Sequence, residues 1–449
     1  MNSIQNISYR CFVFIALTLN LGCESSDSVL PTETQSVEIE QISTIGGTKN
    51  ESAQSVIRTP DGGYAVFGYT QSIDGDISNK NNISYDYWLL KFDATGEEQW
   101  QKVYGGSDDD RGQDIITTND GGYAILGSSQ SNDGDVSNNA GGNDFWVVKL
   151  NASGTVIWEK SFGYAGADSA FSIIQTQDNG FLLSGVLDVS ASNGAGNNRL
   201  RMQRHAGGDY WVVKLDAAGE LQWSRYFGGT FTDTAYDAVQ TTDGNFLIIG
   251  SSDSEDVDIN NNKGTYDFWI VKLNSAGTLV WEKSFGGSEI DEARAIVSTA
   301  DGNYLIVGDS RSNDRDVNTN NGAADIWMIK INSNGELLWE KPFGGSSFDG
   351  VKAIYKTQNN EFLVAGNSRS SDGNLNQNNG QNDAWIFKIN AQGNLKWQAT
   401  VGGSNVDLLM GVTQLENGTI IAVGNTNSSD LDISENKGFS DVLIIKAKE

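Results

Sequence analysis

Twelve tryptophans recur on one 58-residue period. Trp100, Trp158, Trp223, Trp281, Trp339 and Trp397 follow one another at intervals of 58, 65, 58, 58 and 58 residues. Each is preceded twelve residues earlier by Trp88, Trp146, Trp211, Trp269, Trp327 or Trp385, which accounts for all 12 in the chain. The unit fills the chain from about Val37 to Glu449 in seven near-copies. A period of this length dictates a repeat architecture, because one unit cannot bury its apolar face alone and must stack on its neighbours.

One unit, residues 110–163, reads as four strands. QDIITT (113–118) is β-rich, and a turn follows at Asp120-Gly121-Gly122. YAILGSS (123–129) alternates, a polar loop covers 133–142, and DFWVVKL (144–150) is a continuous apolar run. A hairpin turn at Asn151 to Gly154 leads into TVIWEKSF (155–162). We label these strands a to d. The apolar residues on both faces of c and d predict strands sandwiched between neighbouring sheets. Four antiparallel strands per unit predict an all-β, seven-bladed β-propeller with one blade per repeat; a linear solenoid is the alternative. The chain ends separate the two. The last repeat stops after strand c, at Lys446 to Glu449, while VEIEQISTI (37–45) precedes Gly46-Gly47 as strand d does elsewhere. The amino-terminal strand is therefore expected to complete the last blade and leave no exposed sheet edge.

The unit resembles bacterial secreted propellers with a DGGY…G…DxW…K…G…W…GG pattern, over about nine tenths of the chain. That resemblance implies the architecture and no activity. The segment Lys149 to Trp158 also resembles the tryptophan docking motif of quinoprotein dehydrogenases, with a turn one residue shorter.

The amino terminus reads as an address. An apolar run, CFVFIALTLNL (11–21), is too short to cross a membrane and fits a signal-peptide core. Gly22-Cys23 and the acids after it resemble a Bacteroidota-like lipoprotein signal. The resemblance implies removal of residues 1–22, lipidation of Cys23, membrane anchoring and an outer-membrane, surface-exposed location. Residues 23–36 are then a polar tether before the propeller of residues 37–449.

Charge and composition narrow the chemistry. The formal net charge is −28, which argues against nucleic acid as a partner, since phosphate binding needs a basic face. Cys11 and Cys23 lie outside the repeats and His205 is the sole histidine, so a catalytic thiol, a histidine triad and a zinc site lack their parts.

Three groups of residues invite a functional reading. Five b–c loops follow D-x-[DN]-x-[NS]-x-N-x-G-x-x-D. Their first two oxygen positions are Asp133 and Asp135, Asp256 and Asp258, Asp314 and Asp316, Asp372 and Asn374, and Asp430 and Asp432. Alternate oxygen side chains with a closing acid resemble a calcium loop. The competing reading is turn chemistry, because Asp and Asn cap their own backbone. The third repeat has lost the pair yet retains Asp209, which favours a structural role for the closing acid. A second acid recurs after Gly-Gly, as Glu51, Asp110, Asp168, Asp233, Asp291, Asp349 and Asp407, and is expected to cap strand a. Three residues beyond it the copies diverge into Gln54, Gln113, Phe171, Tyr236, Arg294, Lys352 and Met410. Strand a is innermost in propellers, so this set is expected at the channel mouth, where unequal side chains would make a ligand site; drift at a solvated position is the competing reading. Lastly, seven extra residues in the third repeat bring Arg199, Arg201, Arg204 and His205 together as a basic cluster, read either as a seat for an anionic ligand or an acidic partner surface or as a loop that neutralises its acidic surroundings. The functional expectation is a non-enzymatic binding module for a protein or glycan. A quinoprotein-like dehydrogenase or polysaccharide-cleaving enzyme and a purely structural surface protein are the alternatives.

Overall fold

The computed structural model describes residues 36–196 and 205–449. Cys23, the signal segment and most of the tether lie outside them, as do Arg199, Arg201 and Arg204. The described residues form seven four-stranded antiparallel sheets. Blade 2 shows the plan, with a at Asp110–Thr117, b at Tyr123–Ser129, c at Asp144–Leu150 and d at Val156–Phe162. Strands b and c begin and end where the sequence places them. Strand a begins at the recurrent acid itself, three residues earlier than the β-rich run suggests, because Asp110 already pairs with Ser129.

Ring closure follows the sequence expectation. Glu38–Ile45 pairs antiparallel with Asp441–Lys448 and supplies the fourth strand of blade 7. Its Ile39 and Ile42 pack on the core of that blade.

The c strands of blades 1, 2, 4, 5 and 6 are buried along their whole length, in keeping with an apolar run. The d strands are not, which corrects the expectation of two buried faces: Val156 and Ile157 are 39% and 55% exposed. Strand d is the outermost of its sheet, paired on one side only. The tryptophans of both strands serve the core. Those of strand c are fully buried. Those of strand d in blades 1 to 5 lie under the hairpin of the next blade, where Gly154 has a φ of 72° and a methyl there would meet the Trp100 ring at 3.0 Å. Glycine at that turn meets both demands at once.

Two further repeated pairs explain the motif. The lysine of strand c reaches the acid of the a–b turn, as Lys149 to Asp120 at 2.8 Å. The tryptophan of strand c donates to the glutamate of strand d, as Trp146 Nε1 to Glu159 at 3.0 Å.

Candidate binding site at the axial cavity

The d–a and b–c loops share one end of the ring, and the D-x-D pairs join them. Asp133 Oδ1 accepts from the Ser107 amide at 2.7 Å and Asp135 from Gly105 at 3.3 Å. The same two bonds recur at Asp256 and Asp258, Asp314 and Asp316, Asp372 and Asn374, and Asp430 and Asp432. These acids thus staple the connection between consecutive blades, using one oxygen each on a backbone amide. Among the described residues no three His, Cys, Asp or Glu side chains converge as metal ligands would.

The acid after Gly-Gly does more than cap a strand. Asp110 is fully buried and accepts from the Gly106 amide, the Ser131 hydroxyl and the Ser129 hydroxyl. The acid closing each b–c loop is buried beside the Gly-Gly acid of the following blade, as Asp86 is beside Asp110. Asp144 Oδ2 accepts from the Ala140 amide at 2.6 Å, while its Oδ1 is buried without a partner. Burial pushes the Asp144 carboxyl up to about 6, and the charge of Asp168 adds to it. The orphaned oxygen recurs at Asp209, Asp267, Asp325, Asp383 and Asp441. In blade 3 His205 takes the place of the loop amide, with Nδ1 2.5 Å from Asp209 Oδ2. Burial opposes a charged His205, but that bond outweighs it and raises the imidazole above its ordinary value. His205 is therefore tied into the closing acid of its own blade.

The seven divergent residues come together as the sequence anticipates, for a reason it did not show. Each is the extra residue of a β-bulge in its a strand, as Gln113 is between Gly112 and Asp114. The same shift falls at Gln54, Phe171, Tyr236, Arg294, Lys352 and Met410. A bulge re-aims its side chain, and all seven line one axial cavity of about 220 Å³. Its wall is unequal. Phe171 and Tyr236 lie with ring centroids 5.2 Å apart, and the Arg294 guanidinium stands 4.5 Å over Tyr236. Lys352 follows on the next blade.

Two acids of this cavity escaped the sequence reading. Asp114 and Asp237 come directly after a bulge, where the other copies have Ser55, Ser172, Ala295, Ala353 and Gly411. Their appearance at a position otherwise small is the signal that was available. Asp114 accepts from the Ser55 hydroxyl and the Ile173 amide, each at 3.0 Å. Asp237 accepts from the Ser172 hydroxyl and the Ile296 amide, each at 2.9 Å. Each thereby clamps the blades on either side of its own. Burial pushes Asp114 up to about 6 and Asp237 up to about 7, the latter helped by the charge of Asp114.

The fold and this cavity define a seven-bladed β-propeller with an asymmetric axial site. No protein-family description matches the chain. Regulatory protein FlaEY of Caulobacter vibrioides is 23% identical over 251 residues, covering 49% of this chain and 25% of that protein. The match thus spans about a quarter of the relative's length. Among solved structures, the extracellular domain of a hybrid two-component system from B. thetaiotaomicron aligns with a TM-score of 0.46 at 12% identity, over 91% of this chain and 43% of that one. The Neurospora crassa Pan2 WD40 domain aligns at 0.47 and 9% identity, over 91% and 96%. A puromycin hydrolase aligns at 0.48 and 8%, over 85% and 51%.

Proposed function

We propose that this protein is a non-enzymatic binding module of the bacterial cell envelope. Lipid on Cys23 would hold it at the outer membrane, and the loop-bearing end of its propeller would meet a glycan or protein ligand. One observation carries the reading: the bulge residue differs between the repeats, and the seven differing side chains converge on one cavity. Structural positions in a ring repeat; recognition needs unequal groups. The test is a glycan and peptide array probed with the purified protein and with a Tyr236→Ala variant. Selective binding that the variant loses supports the reading, and an array silent for both contradicts it. Anchoring is tested separately: Cys23→Ala should move the protein from the membrane fraction to the soluble one.

A second reading rests on Asp114 and Asp237, an unequal pair of raised carboxyls in the cavity, as acid-catalysed glycoside cleavage requires. Their four bonds to neighbouring blades speak for a clamping role instead. Polysaccharide hydrolysis abolished by Asp237→Asn, with the fold intact, would favour the enzyme.

A further inference from the structure

Blades 5 and 6, whose a strands are Asp291–Ser298 and Asp349–Lys356, meet at an unequal part of the ring. There a pocket of about 360 Å³ is lined by Arg294, Lys352, Arg311, Phe348 and Gly350. Three of these lining residues set the two blades apart from the other copies, while Arg311 is shared only with Arg369 of blade 6. Arg294 and Lys352 are the only basic residues among the seven bulge positions. Gly350 stands where the other copies have Ser52, Arg111, Ser169, Thr234, Glu292 and Leu408, so a side chain is missing where the pocket opens. Phe348 supplies an apolar wall.

The charges there are unequally engaged. Asp309 Oδ1 accepts from the Val351 amide at 2.8 Å, the inter-blade bond that Asn425 makes to Ala53 elsewhere. Glu292 holds Arg294 at 2.8 Å, and the buried Arg294 Nε, which makes no hydrogen bond, faces Asp309 Oδ2 at 3.5 Å. Lys352 and Arg311 make no side-chain hydrogen bond or ion pair among the described residues. A half-buried ammonium with no hydrogen-bond partner is costly to keep; burial and the charge of Arg294 lower the Lys352 pKa, against the opposing pull of Asp309 and Glu292. Three cations face two carboxylates, a surplus of one positive charge.

We propose that this pocket seats a single oxyanion, a carboxylate or sulfate ester carried on a sugar or similar ring. The inference rests on the binding reading above and names its ligand class. Lys352 and Arg311 would supply the open donors and Phe348 an apolar face for the ring. The one-charge surplus fits a monoanion better than a phosphate dianion, and the volume fits a monosaccharide-sized group.

Isothermal titration of the purified protein tests it, with methyl glucuronoside and N-acetylglucosamine 6-sulfate as probes and methyl glucoside as the neutral control. The expected result is millimolar or tighter binding of at least one charged ring, with the neutral ring about tenfold weaker. Lys352→Gln and Arg311→Gln should each weaken binding about tenfold, the loss of one charged hydrogen bond. Equal binding of neutral and charged rings, or indifference to Lys352→Gln, overturns the anion seat while leaving the binding reading intact. No binding of either charged ring also overturns it, and the array result then decides the broader reading by itself.

Discussion

Asp267 is the closing acid of blade 4, and its carboxyl should make this protein more stable in mild acid than in mild base. Its Oδ2 accepts from the Lys263 amide at 2.6 Å, and its Oδ1 is buried with no partner. A methyl built on Gly286 would lie 2.4 Å from that orphaned oxygen and 2.7 Å from Asp291 Oδ2, so two carboxylates flank one glycine. Burial first, and the charges of Asp291 and Asp316 besides, push the Asp267 carboxyl from 3.8 up to about 7. Below 3.8 the folded and unfolded chains both hold the proton. Between 3.8 and about 7 the folded chain binds more protons, so stability falls as pH rises, and the loss is complete above that window. Roughly three pKa units correspond to about 4 kcal/mol. Spread over the unfolding entropy of ~400 residues, that is about 5 °C in Tm. Asp267→Asn keeps the acceptor for the Lys263 amide and turns an NH2 toward Asp291. Calorimetric unfolding should therefore show a Tm higher by up to about 5 °C near pH 8, shrinking to nothing near pH 4. A variant less stable than the parent near pH 8, or one with an unchanged pH dependence, would refute the reasoning.

Removing Glu38–Ile45 should open the ring at blade 7. The partly buried Ile39, Ile42 and Ile45 together hold about 3–5 kcal/mol of apolar burial, so urea unfolding should shift to lower midpoint and the bared edge strand should promote self-association in sedimentation. Gly154→Ala should cost about 2–3 kcal/mol, from a left-handed φ and a methyl against Trp100. Gly121→Ala, equally left-handed but in open space, should cost about 1 kcal/mol, and chemical denaturation separates them. Acting as staples alone, the D-x-D pairs should leave Tm the same in EDTA and in millimolar calcium. A rise of several degrees with calcium and not with magnesium would restore Asp133, Asp135 and their counterparts as ligands.

Much of the architecture was legible because the fold is periodic. Strands b and c, the seven blades and the amino-terminal closure all follow from apolar runs and turns repeated at a fixed offset. Strand d was misjudged on its exposure, since composition does not tell which of two apolar strands lies outermost. The divergent positions pointed to the cavity, but the bulge that aims them is a property of pairing register, which no single strand displays. Asp114 and Asp237 were missed because attention went to acids that recur, and these two matter by not recurring. The D-x-D pairs look like calcium ligands for the reason they make good staples: short oxygen side chains at alternate positions reach backbone amides as readily as an ion.

The central claim is that the unequal residues of blades 5 and 6 serve recognition and not folding. Thermal unfolding of Lys352→Met tests it most directly, because a half-buried ammonium without a hydrogen-bond partner, beside Arg294, opposes folding and methionine fills similar space. A Tm unchanged or raised is the predicted result. A Tm lowered by several degrees would show that Lys352 holds the ring together, and the claim would fail.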